Sequence, residues 1–188
     1  MSDATEARIA ALEADVRRLS ARLEALAAWE QARTPVLARH AEPPAAGAPA
    51  LPAEAALHAE ELLSFGDGFH ALERLPDGTA CRWTGASARA TFWVDRARPL
   101  TVSVEITGRG RTPEGVAPIL EVEGLRLPLL REGDGRRHVA GPIPPRAAPG
   151  PTEITIHAPA PFRPSDHGEA DFRILGLQVA RIGLAPAA

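Results

Sequence analysis

Two short stretches join aromatic rings to planar polar groups. They are Phe69-His70-Ala71-Leu72-Glu73 and Arg82-Trp83, with Trp93 ten residues further on. Sugar recognition needs both kinds of group. An aromatic face packs on the C–H face of a pyranose, while guanidinium, carboxylate and imidazole bond its hydroxyls in pairs. Trp93, Trp83 and Phe69 are the candidate stacking platforms. His70, Glu73 and Arg82 are the candidate polar partners, with Asp67, Asp166 and Arg173 behind them. Neighbouring strand residues point to opposite faces, so Phe92-Trp93-Val94 puts Phe92 and Val94 inward and Trp93 outward. The same residues also have plainer uses. With 3 Trp, 5 Phe and no Tyr, Trp83 suits the core. His70 and Glu73 can tie a first strand to its sheet. Asp171 and Arg173, two apart on an extended segment, can pair and anchor a turn.

Other chemistries find little support. His40, His58, His70, His138, His157 and His167 lack the spacing of metal ligands, so neither metal nor cofactor is expected. Asp166-His167-Gly168-Glu169 reads as a solvated loop rather than as a set of calcium ligands. No Gly-x-Ser-x-Gly elbow occurs, and the single cysteine, Cys81, has no marked catalytic partner. It forms no intrachain disulfide and reads as a buried thiol. The expected protein is not an enzyme.

Three kinds of element must position the candidate residues. Residues 5–33 show Ile9, Leu12, Val16, Leu19, Leu23 and Leu26 at spacings of 3, 4, 3, 4, 3, an a/d seam that predicts a coiled-coil helix over 1–34. Packing on its own chain is possible for such a helix; so narrow a stripe favours self-association. Pro35 stops it. Residues 35–63 form a Pro/Ala-rich linker that ends in a short helix over 53–63. Residues 64–188 carry short strands between turn residues: 88–94, 100–107, 119–122, 125–130, 137–143, 153–158 and 177–184, with more around Phe69-His70 and Cys81–Trp83. Strict alternation in Thr101-Val102-Ser103-Val104-Glu105-Ile106 requires one buried face. Glu123-Gly124 predicts a tight hairpin. The fold class is mainly β, an antiparallel β-sandwich of the jelly-roll kind.

Composition sets outer bounds. The 188 residues are 45% hydrophobic and 24% charged, with net charge -3. All 21 cations are Arg, beside 37 Ala and 19 Pro, a GC-rich codon signature. The negative balance argues against nucleic acid as partner. No apolar run approaches the roughly 20 residues of a membrane span, so no membrane insertion is expected. The polar, acidic start Met1-Ser2-Asp3-Ala4-Thr5-Glu6 lacks a signal peptide's pattern. The expectation is a protein made in the cytoplasm.

The β region resembles a family of bacterial jelly-roll accessory domains found with glycosyltransferases and surface-polysaccharide proteins. The likeness rests on Phe65-Gly66-Asp67-Gly68-Phe69-His70-Ala71-Leu72-Glu73, then Arg82-Trp83-Thr84, then Pro161-Phe162-Arg163-Pro164, and Asp171-Phe172-Arg173-Ile174-Leu175-Gly176-Leu177-Gln178-Val179-Ala180-Arg181-Ile182. It covers about 120 residues and implies a jelly roll connected with glycans. It does not imply catalysis. The order of helix, spacer and sandwich is similar to spikes and fibres of phage-like particles, including the head spike of gene transfer agents. The expected partners are second copies of the chain, a polysaccharide or capsule glycan, and capsid or other particle proteins. The alternatives are a purely structural assembly protein and an accessory subunit of a polysaccharide-synthesis glycosyltransferase.

Overall fold

The computed structural model describes residues 50–62, 67–133, 135–147 and 150–187. The heptad residues Ile9, Leu12, Val16, Leu19, Leu23 and Leu26, and most of the linker, lie outside the described residues. Among the described residues eleven strands follow in order: β1 (Ala55–His58), β2 (Phe69–Arg74), β3 (Ala80–Thr84), β4 (Ser87–Phe92), β5 (Leu100–Gly108), β6 (Ile119–Val122), β7 (Leu125–Pro128), β8 (Leu130–Arg131), β9 (Arg137–Ile143), β10 (Thr152–His157) and β11 (Gln178–Pro186). A 3-10 turn at Pro164–His167 precedes β11.

Two antiparallel sheets make the sandwich. The larger has seven strands in the order β2-β3-β11-β5-β9-β8, with β1 also pairing β11. The smaller runs β4-β10-β6-β7. The chain passes repeatedly from one sheet to the other. Alternation explains how each strand finds its face. On β5, Leu100, Val102, Val104 and Ile106 are buried, while the residues between them are half-exposed. They meet Leu120, Val122, Ile154 and Ile156 of the smaller sheet in one core. Each such side chain contributes about 1.5–3 kcal/mol relative to exposure. The β6–β7 hairpin turns on Glu123 (φ 52) and Gly124 (φ 83), the two left-handed residues that a two-residue hairpin turn demands.

Two expectations change. The helix expected over 53–63 is not found in its described part, residues 53–62: β1 pairs with β11 from Ala55↔Leu184 to His58↔Arg181, and a turn follows. Ala, Glu and Leu are helix formers, but burial of Leu57 and Leu62 against the sandwich outweighs propensities worth tenths of a kcal/mol. The sandwich therefore starts before residue 64. The run 125–130 divides at Leu129, which is buried and carries the chain from the smaller sheet to the larger. No helix among the described residues is long and apolar enough to cross a membrane.

One buried group makes stability pH-dependent. His138 is 3% exposed on β9. Its Nδ1 donates to the Arg136 carbonyl at 3.0 Å, and its Nε2 is buried without a partner among the described residues. Burial, with nearby Arg109 and Arg131, pushes its pKa below the usual 6.5. The unfolded chain then binds this proton at a higher pH than the folded one. His138 therefore contributes fully above pH 6.5, and its contribution is lost as pH falls from there through the depressed folded value. His138→Gln should shrink the loss of melting temperature between pH 7 and pH 5. Equal losses in both proteins would refute this account.

Candidate functional site

Aromatic and polar groups converge where the segment between β10 and β11 folds back over β2 and β3. The backbone forces this return. Phe162 and Leu175 form an isolated antiparallel bridge, bonded both ways at 2.9 and 2.8 Å. Gly176 N–H donates to the Thr84 carbonyl at 2.7 Å, and Thr84 N–H donates to the Leu177 carbonyl at 2.7 Å. Phe162 is thereby held against Trp83 of β3, edge to face, with centroids 6.3 Å apart and planes at 80°. Arg111, from the loop after β5, lies 5.5 Å from the Phe162 centroid, within cation–π range. Gly110 makes room. Its φ is +53, and a Cβ there would come within 2.7 Å of the Phe162 ring. Trp83 and Phe162 are both half-buried, so each keeps part of a ring surface towards solvent. Phe172, 75% exposed, stands on the same returning segment.

A polar clamp lies beside them. Arg173 bonds both Asp171 oxygens (Nε at 3.0 Å to each, a terminal nitrogen at 2.7 Å to Oδ2), while its other terminal nitrogen reaches Glu73 of β2 at 2.9 Å. The Arg173 side chain, then its backbone N–H, hold the Asp171 carboxyl down to about 2, and Asp171 in turn raises the Arg173 pKa. His70 Nε2 sits 2.7 Å from the Ile174 carbonyl and must donate to it, which leaves Nδ1 without that proton in the neutral ring. The clamp pins the returning segment to β2. This is the plainer use open to Asp171, Arg173, Glu73 and His70.

The remaining candidates separate. Phe69 is 2% exposed and packs in the core, so it offers no face to a sugar; its expected platform role is corrected by burial. Arg82 donates from Nε to the Ala59 carbonyl at 2.7 Å and from a terminal nitrogen to the His70 carbonyl at 2.8 Å. Burial lowers its pKa. It fastens the turn after β1 to β2 and is not displayed as a ligand donor. Trp93 follows β4 in the other sheet. It is half-buried, with Phe92 and Val94 inward as alternation requires, and lies at the end of β4 remote from the β3–β4 connection beside Trp83. Cys81 is fully buried, and burial pushes its thiol pKa up. Among the described residues no group of three His, Cys, Asp or Glu could hold a metal ion.

Phe162 and Arg111 were not expected here. One signal was in the sequence: Phe162 is an aromatic between Pro161 and Pro164, placed in a loop where no strand core claims it. No family model and no curated protein matches this chain. Among solved structures, CsCBM6-3 from Clostridium stercorarium in complex with cellobiose is 12% identical. The match covers 74% of this chain and 98% of that one, with a TM-score of 0.41. The sandwich described above stands on its own strand pairing.

Proposed function

We propose that the chain is a non-catalytic, oligomeric spike- or fibre-type protein whose sandwich, wound as a jelly roll, binds cell-surface polysaccharide. The observation that carries the reading is Trp83 and Phe162, brought together from 79 residues apart with Arg111 over the second ring. A half-exposed aromatic pair edged by a guanidinium can stack on a sugar face and bond its hydroxyls. The a/d seam would join copies, and the Pro/Ala stretch would project the heads. Joining weak sites raises avidity by about 10²–10⁴. Capsid or other particle proteins are the partners such a helix would anchor to.

A glycan array probed with the full chain tests this. Trp83→Ala and Phe162→Ala should each weaken binding roughly tenfold, the loss of about 1.4 kcal/mol of stacking. Absence of any bound glycan by correctly folded wild-type chain would refute the glycan reading. A structural assembly role is the second reading, favoured by the exposure of Phe172 and Ile174 at 75% and 44%. It predicts that neither variant changes any glycan signal.

A further inference from the structure

The outer face of the seven-stranded sheet carries an open groove of about 220 Å³. Alternation fixes what stands in it. Val102, Val104 and Ile106 of β5 turn inward, so Ser103 and Glu105 turn outward. On the neighbouring β11, Arg181 lies opposite Glu105, and Gly183 lies opposite Ser103. Arg136 and Arg137 at the start of β9 close one side.

The two rim arginines are already engaged, Arg136 with Asp77 at 3.1 Å and Arg137 with Glu132 at 2.7 Å. The central pair differs. Arg181 and Glu105 are half-buried and face each other from adjacent strands. Yet they form no ion pair, and among the described residues neither side chain has a hydrogen-bond partner. A guanidinium and a carboxylate on one face of neighbouring strands, neither bonded to the other, present donors and acceptors to a third body.

Gly183 fixes where the guanidinium lies. Its backbone lies outside the left-handed region, so conformation does not require glycine. A Cβ there would sit 3.1 Å from Ser103 Oγ and 3.4 Å from both terminal nitrogens of Arg181. Glycine inside a central strand weakens it and marks a place of close approach. Here the missing Cβ leaves room for the Arg181 guanidinium itself, which lies along β11 towards Ser103.

We infer that this groove is a second sugar subsite, holding one polyhydroxylated ring. Adjacent hydroxyls donate to Glu105 and accept from Arg181. The inference rests on the glycan-binding reading above and adds a second place of contact. Size and charge narrow the ligand. The volume is below the roughly 300–1,000 Å³ of pockets for larger ligands, which suits a single ring. Arg136, Arg137 and Arg181 are balanced by Glu105, Asp77 and Glu132, so the groove has no excess positive field to select an anion. It favours a neutral sugar over a uronate or sulfated one.

The test uses the full chain on an array of neutral polysaccharides and methyl hexopyranosides with their uronate counterparts. Arg181→Gln and Glu105→Gln should each lower affinity for a neutral glycan roughly tenfold, the loss of one paired hydrogen bond, without changing the melting temperature. Gly183→Ala, which crowds Ser103 and displaces the Arg181 guanidinium without removing a charge, should also lower affinity and guards against a purely electrostatic effect. Affinities within about twofold of wild type in all three variants would overturn the inference, as would a preference for uronates. Loss with Trp83→Ala alone removes the groove and keeps the aromatic site. Loss with the groove variants alone does the reverse. No bound glycan overturns both.

Discussion

Arg96→Ala should destabilise the sandwich by about 3 kcal/mol, the most costly single truncation of a charged side chain that the structure suggests. The Arg96 side chain is 3% exposed in the loop after β4. It donates to the Pro144 carbonyl at 2.6 Å, to Thr152 Oγ1 at 3.3 Å and to Glu123 Oε1 at 3.2 Å. One guanidinium thus joins the end of β9, the start of β10, the β6–β7 hairpin and its own loop. Two effects could make it valuable, and exposure separates them. The ion pair is the smaller, because Glu123 is 41% exposed and also accepts from Arg146 at 2.6 Å. The buried bonds are the larger. Truncation leaves the Pro144 carbonyl and the fully buried Thr152 without their donor, at about 1–3 kcal/mol each. Glu123→Gln should therefore cost less than about 1 kcal/mol. Arg96→Met, which keeps the volume and takes the charge away, should fall between the two. For a chain of this size about 3 kcal/mol lowers the melting temperature by roughly 6–12 °C. If Glu123→Gln costs as much as Arg96→Ala, the ion pair is what matters and this assignment fails.

That buried arginine shows where sequence reading stops. Arg96 sits in Val94-Asp95-Arg96-Ala97-Arg98-Pro99 with nothing to set it apart from Arg98. Only the convergence of three distant segments makes it the buried one. Strands were legible because their cause is local. Alternation on β5 and the Glu123-Gly124 hairpin are written in consecutive residues. The clamp was half legible. Asp171 and Arg173 show themselves by spacing, but the third member, Glu73, lies 100 residues away. The aromatic site was least legible. Trp83 stands out by its neighbour Arg82, which serves backbone carbonyls instead, while its actual companion Phe162 comes from another part of the chain. Residues 53–63 failed in the opposite way: their local helix preference is real, and pairing with β11 overrides it.

Gly176→Ala should cost about 3 kcal/mol as well, and for a reason that involves no lost contact. This glycine does not have a left-handed backbone, so alanine is conformationally acceptable there. Space is the obstacle. A Cβ would fall 2.3 Å from the Gly85 carbonyl oxygen, 2.6 Å from Ala158 Cβ and 2.6 Å from Thr84 Oγ1. None of these atoms ends a flexible side chain. Thr84 is fully buried and its hydroxyl already accepts from Leu177 N–H at 2.9 Å, so it cannot turn away without orphaning that group. The backbone of the returning segment must move instead, which places the cost at the upper end of the roughly 1–3 kcal/mol typical of overpacking. Gly78 supplies the contrast. It has φ +85, but a Cβ at that position would meet nothing within 4 Å, so Gly78→Ala carries only a conformational cost of about 1 kcal/mol. The two substitutions also differ in what they disturb. Gly176 follows Leu175, whose bridge to Phe162 seats that ring against Trp83. Gly176→Ala should therefore shift the emission of Trp83 in a Trp29→Phe, Trp93→Phe background and weaken any glycan signal below its own melting temperature, whereas Gly78→Ala should change neither. A Gly176→Ala protein as stable as Gly78→Ala would show that the segment yields easily, and the rigid seating of Phe162 on which the aromatic site depends would fall with it.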